Sequence, residues 1–328
     1  MTTKKIFRHF RDRGTALTLI EEIKARHGRS YEEVIESAAG QIRQYFASAG
    51  WGIANRFDNV PAEKLALVRP RLLVALSGGI DSAVVTYLAV RAVGVQRVLP
   101  VTMPMRPTDD SVRMAAMVRD DLGFNEPRAP YEIRLDRFVD EHRETMNALD
   151  PQLTLGDNNA TSSREQLFRL GNFISRVRIN ILYDLQRAIR GRVLGTMNRA
   201  EYCQGYGVKF GAPDAYDFGV LSDFYKIDIQ EMALRLGVPE TIRDAAPSTG
   251  FFDGQTHEGE LGATVEEQDI FAYLLFEKRL GDAEIIDRYG ANPEFIDLTR
   301  ERFAIAQHKR AMMTGIPHVR VAQTPLVY

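Results

Sequence analysis

The stretch from Arg71 to Leu88, RLLVALSGGIDSAVVTYL, does most to limit what this chain can fold into. Arg71 to Leu76 is a short apolar run of buried-strand type, and Ile80 to Leu88 has the apolar content of a helix packed on a sheet. Ser77, Gly78 and Gly79 form the turn between them. Glycine lets a backbone bend sharply and approach a ligand closely. Amide N–H groups in such a turn, continued by a helix N-terminus, seat an anion such as phosphate. The lysine of the GxxxxGK[ST] mononucleotide loop is missing, and Asp81 and Ser82 stand there instead. A carboxylate beside a phosphate seat suits Mg²⁺, which takes carboxylate, water and phosphate oxygens.

The neighbouring sequence extends this unit. Arg97 to Met103 reads as a second strand, with Pro100 pointing to an irregularity or a position at a sheet edge. Asp110 to Leu122 reads as a helix, Tyr131 to Leu135 as a third strand, and Asp136 to Leu149 as a third helix. Val193 to Thr196 is a fourth strand. Strands alternating with helices imply an α/β fold, a doubly wound parallel sheet with right-handed crossovers. Ligands in such sheets sit beyond the C-terminal strand ends. Before the phosphate turn, Ser30 and Glu33 form a capping box for a helix from Tyr31 to about Ala49, and the basic residues before it suit either a flexible arm or a first helix around Ala16 to Arg26. Residues 1–70 therefore read as an N-terminal helical extension and residues 71–328 as the main domain. Arg164 to Arg190 is one long helix. Its seam of Leu167, Leu170, Ile174, Val177 and Ile181 suits either intrachain core or a second copy of the chain. Lys226 opens a helix to Leu236, Val265 to Leu280 is helical, and a last helix spans about Asn292 to Met312. Pro247 to Gly262 has no periodicity, as functional loops often do not.

Composition removes several classes. A chain of 328 residues with a formal net charge of −2 carries no electrostatic footprint for nucleic acid. One cysteine, Cys203, leaves no internal disulfide and no cysteine-rich metal site, which fits a reducing cytoplasm. The basic start has no apolar core after it, unlike a signal peptide, and no run approaches membrane-spanning length.

The string SGGIDS resembles the SGGxDS pyrophosphate loop of enzymes that cleave ATP between its α and β phosphates. NFISRVRINILYDL, GTMNRAE and QHKR then follow in an order and spacing similar to the ammonia-dependent NAD synthetases. The resemblance implies an adenine-nucleotide α-hydrolase-like fold and a cytoplasmic homodimer. It implies adenylation of the carboxylate of deamido-NAD by ATP, then amide formation with ammonia. It assigns ATP to Ser77, Gly78, Gly79, Asp81, Ser82, Arg106, Thr196, Lys226 and Ser248. Asp81 and Lys226 carry the catalytic role, with Asp81 and Glu201 as the Mg²⁺ carboxylates. Arg176, Lys209, Asp217, His308 and Lys309 fall on positions that contact the dinucleotide. Too few residues precede the phosphate strand for the glutamine-hydrolysing domain of glutamine-dependent relatives, so ammonia is the expected nitrogen donor.

Each residue also has an ordinary explanation. Glu201 alone is a helix cap or a salt-bridge partner, Arg176 a solvated or ion-paired helix residue, and His308 with Lys309 a basic helix end. The sequence departs from its relatives where they meet the acceptor. VKFGAPDAYD stands in place of a TKYGDGG-like loop, so Asp217 matches only after a one-residue shift, and His257 replaces an acid. A different carboxylic acid as acceptor is therefore the alternative within this class. Outside it stand sulfur transfer to RNA, disfavoured by the lone cysteine, and a catalytically silent nucleotide-binding protein.

Overall fold

The computed structural model describes residues 7–48, 71–105, 109–125, 131–155, 162–212, 215–245, 257–311, 316 and 319–320. Two helices come first, α1 (Arg13–Ala25) and α2 (Tyr31–Ser48), the second opened by the Ser30–Glu33 capping box. Then follow β1 (Leu72–Ala75), α3 (Ile80–Val93), β2 (Val98–Val101), α4 (Asp109–Asp121), α5 (Asp136–Leu149), α6 (Arg164–Ala188), β3 (Arg192–Gly195), α7 (Arg199–Gln204), β4 (Phe218–Gly219), α8 (Lys226–Leu236) and α9 (Glu240–Arg243). The last third is helical: α10 (His257–Leu261), α11 (Val265–Ala272), a π-helical turn (Tyr273–Glu277), α12 (Asp282–Tyr289), α13 (Pro293–Ile305) and α14 (Gln307–Arg310).

The four strands are parallel, in the order β2-β1-β3-β4. Each is a short apolar run, because a parallel strand is covered on both faces. Leu72, Val74, Val98, Leu194 and Phe218 face a core completed by α2, α3 and α8. Leu73, Leu99, Val101 and Val193 face the other, completed by α1, α6 and α11. The described residues of the N-terminal extension thus share both cores with the rest. β2 is an edge strand, so Pro100 costs no interior ladder bond.

Several expectations from sequence take a different form. Tyr131 to Leu135 adds to the β2 edge through a single bridge, Thr102 with Glu132, rather than a full strand. The Val265–Leu280 helix converts to a π turn at Tyr273. The final helix stops at Ile305, restarts at Gln307, and is preceded by the unanticipated α12. On α6, Leu170, Ile174 and Val177 are buried inside one chain, which makes that part of the seam intrachain core. Arg178 beside it donates to the Met103 carbonyl at 3.1 Å, and burial pulls its guanidinium down to about 10.

Candidate active site

The order β2-β1-β3-β4 reverses direction between β1 and β3. A crevice opens beyond the C-terminal ends of strands at such a reversal. The Ser77–Ser82 turn leaves β1 on one side of it, and Thr196, half-buried, follows β3 on the other. Gly78 has φ +90°, and a Cβ there would stand 2.4 Å from the Ser111 carbonyl oxygen. Only glycine fits that turn. The Ser82 hydroxyl donates to the Gly79 carbonyl at 2.9 Å and accepts from the Ser77 amide at 3.2 Å. Gly79 caps α3 with no side chain of its own, so the first-turn amides of α3 are presented outward beside Asp81.

Three helix N-termini converge on this turn. Asp81 lies in the first turn of α3, Glu201 in the first turn of α7, and Lys226 is the first residue of α8. The Lys226 ammonium donates to Asp81 Oδ2. Burial alone would lower the Lys226 pKa, but the carboxylates of Asp81 and Glu201 outweigh it and the group is held above its ordinary value. Glu201 closes a capping box with Asn198: its Oε2 accepts from the Asn198 amide at 3.0 Å, and its own amide donates to Asn198 Oδ1 at 3.0 Å. The modest reading of Glu201 as a cap therefore holds together with its place near Lys226.

Asp81 Oδ1 is buried and has no hydrogen-bond partner among the described residues. A hard cation would satisfy it, so the donor set fits Mg²⁺ held by two carboxylates, phosphate and water. Among the described residues no group of three or more metal-ligating side chains stands ready as a closed all-protein site. Arg106 and Ser248 lie outside the described residues.

A second group gathers on the loop after α7. Arg176, exposed on α6, donates to the Lys209 carbonyl at 3.2 Å. Lys309, on α14, donates to the carbonyls of Gly205 at 2.7 Å and Gly207 at 2.6 Å. Tyr206 donates to Glu260 of α10, and the Lys209 ammonium lies 5.4 Å from the Phe210 ring centre. Gly205, at φ +61°, lets α14 close on the end of α7, since a Cβ there would meet Ala306 at 2.0 Å. His308 is exposed next to Lys309. The structure does not bring Asp217 to this group. Its carboxylate accepts from the Val193 amide at 2.8 Å and from the Tyr183 hydroxyl at 3.3 Å, toward the start of β3 rather than its end.

Behind the site lies a polar network that sequence reasoning missed. Asp269 is wholly buried and accepts from the Ile227 amide at 2.9 Å, and burial holds its carboxyl well above the usual carboxylate range. Asp228 accepts from the Tyr225 amide at 2.8 Å, closing the first turn of α8. An acid three residues after the N-cap Tyr225 is a readable signal for Asp228; nothing local marks Asp269.

The NAD synthase family model matches residues 66–313 of the chain. The NH(3)-dependent NAD(+) synthetase of Pyrococcus horikoshii is 31% identical over 263 residues, covering 79% of this chain and 94% of that protein. The enzyme of the same name from Chlorobaculum tepidum is 34% identical over 242 residues, covering 74% and 79%. Among solved structures, the NMN synthetase from Francisella tularensis superposes with a TM-score of 0.61 at 22% identity, covering 86% of this chain and 96% of that one. The NH3-dependent NAD synthetase from Campylobacter jejuni does so at 0.59 and 21%, with the same coverage. These two superpositions establish a shared fold. With a family match over most of its length, a parallel sheet that reverses at the phosphate turn, and relatives above 30% identity, the chain belongs to the NAD synthase family.

Proposed function

We propose that the protein is an ATP-dependent amide ligase that converts deamido-NAD and ammonia to NAD, with release of AMP and pyrophosphate. The observation that carries this reading is the Lys226–Asp81 pair at the glycine turn, with Glu201 alongside. The family's curated relatives are named for the same reaction.

A carboxylate is a poor electrophile. One of its oxygens attacks the α-phosphorus of ATP, the α–β bond breaks, and pyrophosphate leaves. Ammonia then attacks the acyl carbon, and AMP leaves as the amide forms. The α3 N-terminus and the Ser77–Ser82 turn would bind the departing pyrophosphate, and Lys226 would neutralise its growing charge. Asp81 and Glu201 would hold Mg²⁺, which supplies further charge neutralisation on the phosphates when bound. Thr196 would meet ATP from the β3 side of the crevice, with Arg106 and Ser248 as further ATP contacts. Arg176, Lys209, His308 and Lys309 would face the anionic acceptor, with Asp217 on its rim or, as its ladder bonds favour, in a structural role.

The changes at Val208, Ala212 and His257 favour a second reading within the same class, amidation of another carboxylic acid. One assay separates the two. Purified protein with ATP, Mg²⁺ and ammonium should release AMP and form NAD when deamido-NAD is added. Release of AMP only with other acids would select the alternative, and release with none would reject both.

The finer points stand as part of the proposal. Residues 71–328 would form the ligase unit, with the N-terminal extension as an added layer. Phe138, Leu149 and Phe168, exposed on α5 and α6, would meet a second copy in a homodimer. Sedimentation of a stable monomer at assay concentration would refute that. No helix among the described residues is long and apolar enough to cross a membrane. A cytoplasmic site suits a ligase that consumes ATP and keeps its one cysteine as a buried thiol.

A further inference from the structure

We infer that Arg26, from the N-terminal extension, is a positioning residue for the reaction, setting the first turn of α8 and with it the Lys226 ammonium. Arg26 ends α1 and lies before the residues matched by the family model. Its Nη1 reaches both oxygens of Asp228, at 3.0 and 2.8 Å, and its Nη2 donates to the Asp223 carbonyl at 2.7 Å. Asp228 in turn accepts from the Tyr225 amide, one residue before Lys226. The guanidinium therefore touches the chain on both sides of the turn that delivers Lys226. His27 Nε2, at 3.0 Å, and the Tyr31 hydroxyl, at 2.6 Å, complete the shell around Asp228 Oδ1.

The same guanidinium is tied to the second carboxylate helix. Arg26 Nε lies 3.6 Å from Glu277 Oε1, and Glu277 Oε2 lies 3.2 Å from Arg199 Nε. Arg199 is the first residue of α7, two before Glu201. The Tyr225 ring has both guanidiniums over it, with the Arg26 carbon 4.8 Å and the Arg199 carbon 5.7 Å from its centre. Arg26 thus registers the helix start that carries Lys226 against the one that carries Glu201.

A stability role alone explains this network poorly. Arg26, Arg199, Asp223 and Asp228 have side chains 0 to 5% exposed, and Glu277 7%. Buried ion pairs cost as much in desolvation as they return, so apolar residues of equal volume would serve a fold equally well. What a forked guanidinium supplies is fixed geometry between several acceptors at once. The chemistry needs that geometry, because a small displacement of a charge-stabilising group costs rate.

The inference rests on Lys226 facing the phosphates of ATP. Its test uses three full-length variants: Arg26→Ala, Arg26→Lys and Leu19→Ala. Leu19 is buried on the same helix, 1% exposed, in the apolar core rather than the network. Thermal midpoint, ATP binding by equilibrium dialysis, and kcat and KM for ammonium-dependent AMP release are measured on each. Both Arg26 variants should lose about tenfold or more in kcat/KM for ATP, with the KM for deamido-NAD unchanged. Leu19→Ala, compared at equal distance below its midpoint, should stay within about twofold of the parent. Millimolar guanidinium should restore part of the rate of Arg26→Ala. If Arg26→Ala does not fold, Arg26→Lys carries the test, because it keeps the charge and loses only the fork. Equal losses in the Arg26 and Leu19 variants at matched stability would overturn the inference, as would a parental rate in Arg26→Lys. Should the parent form no NAD, the proposed reaction fails. The dialysis comparison, made without any acceptor, still decides on Arg26.

Discussion

On the side of the glycine turn, the groups proposed to act on ATP are first-turn residues of helices that follow strand ends, and Lys226 is almost wholly buried. On the proposed acceptor side, Arg176 and His308 are exposed, and the loop between Gly205 and Gly211 is held by side chains bonding to its backbone carbonyls. The first arrangement fixes charges to within the tolerance of helix geometry. The second fixes the path of a loop while leaving its side chains replaceable. A family can therefore keep one way of activating a carboxylate and change which carboxylate it activates. Of the departures that the resemblance leads one to expect, Val208 lies inside that loop and Ala212 directly after it.

The contrast can be broken by substitution. Asp81→Asn should have the largest effect, lowering AMP formation by about a thousandfold. It should also cost about 3 kcal/mol of stability, because the buried Lys226 charge loses its partner. AMP release and urea unfolding measure both, and a parental rate would dismiss the phosphate-loop assignment. Lys226→Met should slow AMP release by about a hundredfold. It also has a pH signature. The raised Lys226 pKa means that its ion pair stabilises the fold fully below the ordinary value of 10.5 and is lost as pH rises through the higher folded value. The alkaline fall in parental stability should be shallower in the variant, as urea midpoints across alkaline pH would show.

Gly78→Ala tests geometry without touching charge. The added methyl meets the Ser111 carbonyl, and the loss in ATP affinity should be about tenfold or more, at a stability cost of about 1–3 kcal/mol. On the acceptor side the effects should shrink and change in kind. Lys209→Ala should raise the apparent KM for deamido-NAD by about tenfold and leave that for ATP unchanged. A change in ATP KM instead would merge the two sides. The smallest effect concerns Cys203, on α7 between them. Burial pushes its thiol up to about 11, so alkylation at neutral pH should proceed only through unfolding of α7, at a rate unaffected by bound ATP analogues unless they stabilise that helix.

Much of the phosphate-loop side is legible in the sequence because its signals are local. SGGIDS sits between a strand run and a helix run, Glu201 stands three residues after its capping Asn198, and Lys226 begins a helix closed by Gly237. Adjacent residues set these features, and pattern reasoning reads adjacency. The network behind the site is not legible in the same way. Arg26 and Asp228 are 202 positions apart, and although Asp228 reads as the acid of a capping box, nothing local marks its arginine partner. Asp217, which a one-residue shift aligns with an acceptor contact, accepts from the Val193 amide 24 positions earlier, a pairing that no local pattern marks. The α6 seam leaves two readings open for a related reason. A stripe at helical spacing has the same appearance against a helix of its own chain as against a partner's, and Leu170, Ile174 and Val177 are filled by the former. β4, with two residues, was too short to leave any periodicity.

The π turn at Tyr273–Glu277 bears on how this chain tolerates changes in length. The Lys278 amide bonds the Tyr273 carbonyl at 2.8 Å, so this turn holds one residue more than an α-helical turn. Removing a residue from an ordinary helix shears everything beyond it. Here a deletion within Tyr273–Phe276 would leave a regular α-helical turn with Lys278 still bonded to the Tyr273 carbonyl, and only the residues inside the turn would change direction. That change would carry the Glu277 carboxylate away from Arg26 and Arg199. A deletion that improves the helix locally would thus uncouple two arginines from their shared acid, and the surplus residue is best understood as the spacer that keeps Glu277 in phase with them.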